Sequence, residues 1–157
     1  MKKVALILGL MIVCTVAASI TMASDSKTYT AAFCVESEDT TPDIRYYNGG
    51  HARNYSSTAS RFVCPAVSDD TVSSTIDNWS VTVYREASTT AWNVTLWNTA
   101  RTGYSGYAST VTIPAGVNAY HTVNGGGISN TGADRVLFIE SDVPAYGRIV
   151  SYKIQES

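Results

Sequence analysis

The chain has 157 residues, with 11 Lys and Arg against 13 Asp and Glu, which gives a formal net charge of −2 at neutral pH. This length corresponds to one domain. The acidic balance, with no run of Lys and Arg, argues against a nucleic-acid-binding surface and against binding to an anionic membrane, because both need concentrated positive charge.

The first segment of the chain has the pattern of a secretory signal peptide. Two lysines precede an apolar run over residues 4–18, and small and polar residues follow. The run is shorter than the ~20 apolar residues that a membrane-spanning helix needs. We expect residues 1–23 to be a signal peptide and residues 24–157 to be a single secreted domain. Cleavage after Ala18 and a retained N-terminal anchor are the alternatives.

The leader is short and begins with two lysines, which is typical of bacterial secretion signals. The expected location is therefore the periplasm or the extracellular space, where disulfides persist. Loss of the two leader lysines leaves nine basic against 13 acidic residues, a formal net charge of −4.

The composition after the leader favours strands over helices. Leucine occurs only twice and methionine is absent, whereas there are 13 valines, 17 threonines and 10 tyrosines. β-Branched and aromatic residues pack well on pleated sheets and are weaker helix formers. We predict an all-β fold, an antiparallel β-sandwich of jelly-roll-like or Ig-like type, with about eight to ten short strands.

In the N-terminal third, alternation predicts a strand over residues 29–35. A short strand is expected over residues 44–47, followed by the hairpin turn Asn48-Gly49-Gly50. The return strand over residues 51–55 is weakly patterned. The next predicted strand covers residues 60–67.

The clearest alternation in the chain covers residues 79–85, which we predict to be a strand that faces the core with every second side chain. Residues 92–97 alternate in the same way and leave Trp97 on the outer face. The two segments are predicted to pair as a hairpin with a loop of about five residues.

In the C-terminal part, strands are expected over residues 107–113 and 119–123. The glycine-rich stretch over residues 124–132 is predicted to be a loop. Residues 135–141 are apolar on both faces, which indicates a central strand of a sheet. A last strand over residues 147–155 closes the fold.

Two cysteines, Cys34 and Cys64, remain after removal of the leader. In an oxidising compartment we predict a structural disulfide between them, which would contribute about 3–4 kcal/mol by closing a loop of about 30 residues. A zinc site is the alternative, but it needs two further ligands, and neither C-x-x-C nor H-x-x-x-H spacing is present. A catalytic thiol would require the pair to be reduced.

The sequence resembles a loose group of small secreted bacterial hypothetical proteins. The early cysteine is one shared feature, and the others are the segments at 54–57, 62–65, 81–84 and 151–153. The resemblance implies a β-sandwich and a secreted location, and it brings no activity. Members of the group often carry two more cysteines near Val94 and Ser141, so a second bridge is not expected here.

Few residues are suited to catalysis, and we predict no catalytic residue, no cofactor and no metal site. The segment Gly103-Tyr104-Ser105-Gly106 is one residue too short for a nucleophile elbow. His51 and His121 are the only histidines and lie far apart in sequence. A pair of carboxylates that includes Glu140 keeps a polysaccharide hydrolase open as an alternative.

Exposed aromatic side chains are the best candidates for binding, because aromatic faces contact sugar rings and protein partners. Together with one histidine, the candidate binding residues are Tyr46, Tyr47, His51, Trp97, Tyr104 and Tyr107. We predict a secreted non-enzymatic module that binds a glycan or another extracellular protein. A small extracellular hydrolase and a subunit of a surface assembly are the alternatives.

Overall fold

The computed structural model describes residues 25–37, 44–67, 75–86, 89–100, 106–116, 118–129 and 135–156. The predicted signal peptide and Tyr104 lie outside these residues. Within them, no helix is long and apolar enough to cross a membrane.

The described residues form eleven strands in two antiparallel sheets, which confirms the predicted β-sandwich. The strands are β1 (Asp25–Thr30), β2 (Val35–Glu36), β3 (Ile44–Tyr46), β4 (Ala52–Asn54), β5 (Ser60–Ala66), β6 (Thr75–Arg85), β7 (Trp92–Ala100), β8 (Gly106–Ile113), β9 (Ala119–Ser129), β10 (Arg135–Val143) and β11 (Arg148–Glu156). Sheet A has the order β3-β4-β11-β6-β9, with β1 also paired to β11. Sheet B has the order β2-β5-β10-β7-β8.

The core lies between the two sheets and is built from the predicted alternation. Trp79, Val81 and Val83 of β6 are buried, and so are Val94 and Leu96 of β7. Because side chains alternate along a strand, the residues between them lie on the outer faces. The predicted central strand is also confirmed, since β10 is the middle strand of sheet B.

The first predicted strand, residues 29–35, is wrong as a single element. A 3-10 turn over Ala31–Phe33 ends β1 in sheet A and leads to β2 in sheet B. The turn buries Ala31 and Cys34 and leaves Phe33 and Val35 more than half exposed. This change of sheet divides one predicted strand into two, and the described residues form eleven strands where about eight to ten were predicted.

The predicted hairpin of β6 and β7 is also wrong. Strand β6 pairs with β9 and β11 in sheet A, whereas β7 pairs with β8 and β10 in sheet B. Both strands face the same core, so their alternation is identical whether they are neighbours in one sheet or lie in opposite sheets. The hairpin predicted at Asn48-Gly49-Gly50 does form, between β3 and β4.

The glycine-rich stretch predicted to be a loop is part of β9. Gly125 lies opposite Trp79 of β6, and a Cβ atom at Gly125 would lie 2.0 Å from the indole Nε1. That Nε1 donates a hydrogen bond to Ser109 Oγ at 3.0 Å, and Ser109 Oγ donates to the carbonyl of Gly126 at 2.9 Å. Glycine therefore makes room for an indole that connects both sheets.

Strand β11 departs from regular alternation at Val150. Its register against β6 shifts between Ile149 and Ser151, which is a β-bulge. As a result Ile149 is fully buried together with Tyr152 and Ile154, while Val150 is half-buried. Regular alternation would place Val150 on the same face as Tyr152 and Ile154, and the bulge changes that register by one residue.

The predicted disulfide is present, with Cys34 Sγ bonded to Cys64 Sγ. Both residues are fully buried. The bond joins the residue before β2 to β5, so it holds the edge of sheet B where the chain has just left sheet A.

Replacing both cysteines, Cys34→Ala with Cys64→Ala, should lower the free energy of unfolding by about 3–4 kcal/mol, because the unfolded chain loses the constraint on a loop of about 30 residues. Urea unfolding of the double variant measures this. Wild-type protein kept under reducing conditions serves as the control and should lose a similar amount. Equal stability of the variant and the oxidised wild type would contradict the prediction.

Gly125→Ala should destabilise the fold by about 1–3 kcal/mol, since its methyl group has to displace the Trp79 indole. Gly126→Ala is the matched control, because nothing lies within 4 Å of a Cβ built there. It should change stability by less than about 0.5 kcal/mol. Thermal unfolding followed by tryptophan fluorescence compares the two, and equal effects would show that the contact with Trp79 is unimportant.

Candidate functional site

The outer face of sheet B carries a depression that contains Trp97. Its volume is about 310 Å³. We call it the Trp97 groove, and it is lined by Asn93, Thr95, Trp97, Thr110, Glu140, Ser141 and Asp142. These residues come from three adjacent strands, β7, β8 and β10, so the groove is carried by regular sheet rather than by loops.

Trp97 lies in the register row between Phe138 of β10 and Ala108 of β8. Its side chain is half-buried, and its Nε1 atom is buried without a hydrogen-bond partner among the described residues. The ring edge that carries Nε1 therefore faces the protein. The part of the ring that remains accessible is apolar.

Hydroxyl and amide groups in and beside the Trp97 groove are held by hydrogen bonds to one another. Thr95 Oγ1 and Thr110 Oγ1 lie 2.9 Å apart across the β7–β8 pair. Thr112 Oγ1 donates to Asn93 Oδ1 at 2.9 Å in the same pair. These bonds restrict the side-chain rotamers, so less entropy is lost when the groups bind a ligand.

One arginine holds two carboxylates on β10. Arg61 Nε lies 3.2 Å from Glu140 Oε1 and 3.1 Å from Asp142 Oδ1. Glu140, the candidate acid of the hydrolase alternative, is ion-paired with Arg61. The Asp142 side chain is 63% exposed, so its carboxylate is open to a ligand. Strand β10 extends through Asp142 to Val143, two residues beyond the predicted strand over residues 135–141.

The outer face of sheet A carries a second cluster, built on one register row across five strands. In order, the row pairs Arg45 of β3 with Arg53 of β4, Arg148 of β11, Tyr84 of β6 and Tyr120 of β9. We call this row and the side chains that contact it the arginine–tyrosine face. All five residues are half-buried or exposed.

Two of the predicted binding residues belong to the arginine–tyrosine face. The Tyr47 ring lies 6.4 Å from that of Tyr55, and their hydroxyl groups are in contact. The His51 ring is edge-on to Tyr120 at 6.3 Å. The hydrogen bond with Tyr55 lowers the pKa of Tyr47, and Arg53 lowers it further.

The other described residues of the predicted binding set lie elsewhere. The Tyr46 hydroxyl donates to the backbone carbonyl of Cys34, and burial and the charge of Glu36 raise the pKa of Tyr46. Tyr107 is an exposed residue of β8, and the Arg135 guanidinium lies 5.4 Å from its ring centroid. The five described residues of the predicted set are thus distributed over both faces and an edge, and the structure does not bring these five together.

Several residues of these clusters were absent from the predicted set. Alternation placed Tyr84 and Thr95 on outer faces, but it did not show which residues lie beside them. Arg45 and Arg53 lie on strands too short for a clear pattern, and Arg148 comes from the other end of the chain. These three arginines lie in one row only because of the register in which their strands pair. The sequence does not show that register.

Metal ligation has no support within the described ranges. No group of three or more His, Cys, Asp or Glu side chains there is placed to hold a metal ion.

Comparison with solved structures finds the same sandwich in proteins named for carbohydrate binding. One is the GH26-CBM35 β-(1,4)-mannanase of Podospora anserina, with 16% sequence identity and a TM-score of 0.55. The matched region covers 84% of this chain and 28% of the mannanase chain. Another is the C-terminal CBM6 of LamC, a marine laminarinase from Zobellia galactanivorans, at 12% identity and a TM-score of 0.51, covering 83% of this chain and 98% of that chain.

At these identities the likeness shows the fold alone. The chain spans little more than a quarter of the length of the mannanase chain. No family model matches the sequence. The comparison with curated proteins finds no significant match either.

Proposed function

We propose that this protein is a secreted glycan-binding module that binds a polysaccharide chain in the Trp97 groove. The observation that carries the proposal is the combination, on one sheet face, of an apolar indole surface with pre-oriented hydroxyl, amide and carboxylate groups. Signal-directed export by residues 1–23 is part of the proposal, because it would bring the module to polysaccharides outside the cell.

The chemistry of the groove suits a sugar. A pyranose ring has an apolar face of C–H groups that packs on an aromatic ring, and hydroxyl groups around its rim. Those hydroxyls can donate to Glu140 and Asp142, and hydrogen bonds to ionised acceptors are stronger than neutral ones. Thr95 and Thr110 can donate or accept, so they fit hydroxyl groups of either orientation.

The groove is open and lies across three strands, which favours an internal stretch of a polysaccharide over a chain end or a single sugar. The fold supports the same interpretation, since the laminarinase segment that shares it is named CBM6, a carbohydrate-binding module. Mannan and laminarin are suitable first probes because the two similar proteins are named for enzymes acting on such polymers.

Trp97→Ala should weaken binding to the recognised polysaccharide by at least about tenfold, because truncating a central aromatic anchor of a binding site costs about 2 kcal/mol or more. Calorimetric titration of mannan and laminarin into wild type and variant measures the change. Phe33→Ala is the matched control, since Phe33 is 63% exposed and is not one of the residues lining the groove.

Thermal unfolding of both variants confirms that they remain folded. The proposal fails if the wild type binds neither polymer nor any member of a broader neutral glycan panel at millimolar concentration. It also fails if Trp97→Ala binds as tightly as the wild type.

Hydrolysis of the bound polysaccharide is a second candidate function, because Glu140 and Asp142 lie in the same groove. Two carboxylates that flank a glycosidic bond can act as acid and as base or nucleophile. If the protein is a hydrolase, incubation with mannan or laminarin releases reducing ends, and Glu140→Gln abolishes the release while binding persists. A binding module without catalysis gives no reducing ends in either case.

A further inference from the structure

The arginine–tyrosine face extends in a line across sheet A. Its row contains Arg45, Arg53, Arg148, Tyr84 and Tyr120, one residue from each of five adjacent strands. Adjacent strands are about 4.8 Å apart, so the row is roughly 19 Å long. That length fits an extended polymer better than a single small molecule.

Cation–π contacts hold the guanidinium groups over tyrosine rings. Arg45 Cζ and Arg53 Cζ lie 4.3 Å and 4.6 Å from the Tyr55 ring centroid. Arg148 Cζ lies 4.8 Å from that of Tyr84. The N–H groups of a stacked guanidinium lie in its own plane, parallel to the tyrosine ring. Stacking also restricts the arginine side chain before a ligand binds, so less conformational entropy is lost on binding.

The face carries local positive charge on an acidic protein. Arg53 Nη2 and Arg148 Nη2 both bind the same carboxylate oxygen, Glu86 Oε1, at 2.6 Å and 2.9 Å. With Arg45 there are three guanidinium groups and one carboxylate, a formal charge of +2 in a chain whose total is −2.

The arginines and tyrosine rings of this face together indicate the chemistry of a ligand. Guanidinium groups form paired hydrogen bonds with carboxylate and sulfate oxygens. The exposed ring of Tyr120, at 62% exposure, provides a flat apolar surface of the kind that packs on a sugar ring.

We propose that the arginine–tyrosine face is a second glycan site, selective for a linear polysaccharide that bears carboxylate or sulfate groups. The anionic groups bind the arginines, and the sugar rings pack on the exposed tyrosines. This site lies on the opposite sheet from the Trp97 groove and does not depend on it. A failure of one proposal therefore leaves the other standing.

The test titrates polygalacturonate, dextran sulfate and neutral dextran into the mature protein. We expect the wild type to bind at least one of the two anionic polymers, with affinity that falls as salt is raised, and not to bind dextran. The response to the two anionic polymers distinguishes carboxylate from sulfate as the recognised group.

Arg45→Gln should weaken binding at least about fivefold, because hydrogen bonds to charged groups contribute about 1.5–3 kcal/mol. Glu86→Gln should tighten it, since removal of this carboxylate releases Arg53 and Arg148. Arg135→Gln is the matched control, as it removes an arginine stacked on a tyrosine outside this face. Trp97→Ala should leave binding of the anionic polymer unchanged.

Tyr120→Ala tests the sugar contact separately from charge, and poly-L-glutamate is the polymer that provides charge without sugar rings. Tyr120→Ala should weaken polysaccharide binding, and poly-L-glutamate should bind much more weakly than the polysaccharide. The proposal is overturned if poly-L-glutamate or anionic vesicles bind as well as the anionic polysaccharides. Thermal unfolding checks that Arg45→Gln is folded. The proposal is also overturned if this folded variant binds the anionic polysaccharides as tightly as the wild type does.

Discussion

Each long strand of this sandwich must place every second side chain in the core, and both outer faces follow from that constraint. Trp79, Val81 and Val83 occupy one face of β6, so Tyr84 and Thr82 are left outside. The same requirement in β7 buries Val94 and Leu96 and turns outward the side chains that line the groove. The proposed binding residues are therefore carried on rigid strands, which position side chains more accurately than loops do.

The two outer faces differ in chemistry although they share one core. Sheet B combines an indole with carboxylates, hydroxyls and an amide, which suits neutral sugar hydroxyls. Sheet A combines arginines with tyrosine rings, which suits anionic groups. Because the faces are on opposite sides of the sandwich, the two proposed sites do not compete for space. One protein could then hold two polysaccharide chains, with a gain in avidity if both chains belong to one matrix.

Two contacts stabilise the core, and only one of them can be predicted from the sequence. The bond between Cys34 and Cys64 was predictable, because only two cysteines remain in a chain expected to be exported. The contact of Trp79 with Gly125 was not predictable, because three successive glycines are typical of a loop. Glycine within a strand either weakens the strand or allows another group to approach the backbone closely. Only the neighbouring strand shows which of the two applies.

The sequence by itself determined the fold class, the central position of β10, the hairpin of β3 and β4, and the outward direction of Trp97. These follow from local alternation, from composition and from a turn motif. Only the tertiary structure decided which strands are neighbours. It separated β6 from β7, divided the first strand between two sheets, and aligned Arg45, Arg53 and Arg148 in one row. The reason is physical: alternation records which side of a strand is buried, and any strand facing the core satisfies it equally, whereas pairing and register depend on contacts between residues far apart in the chain.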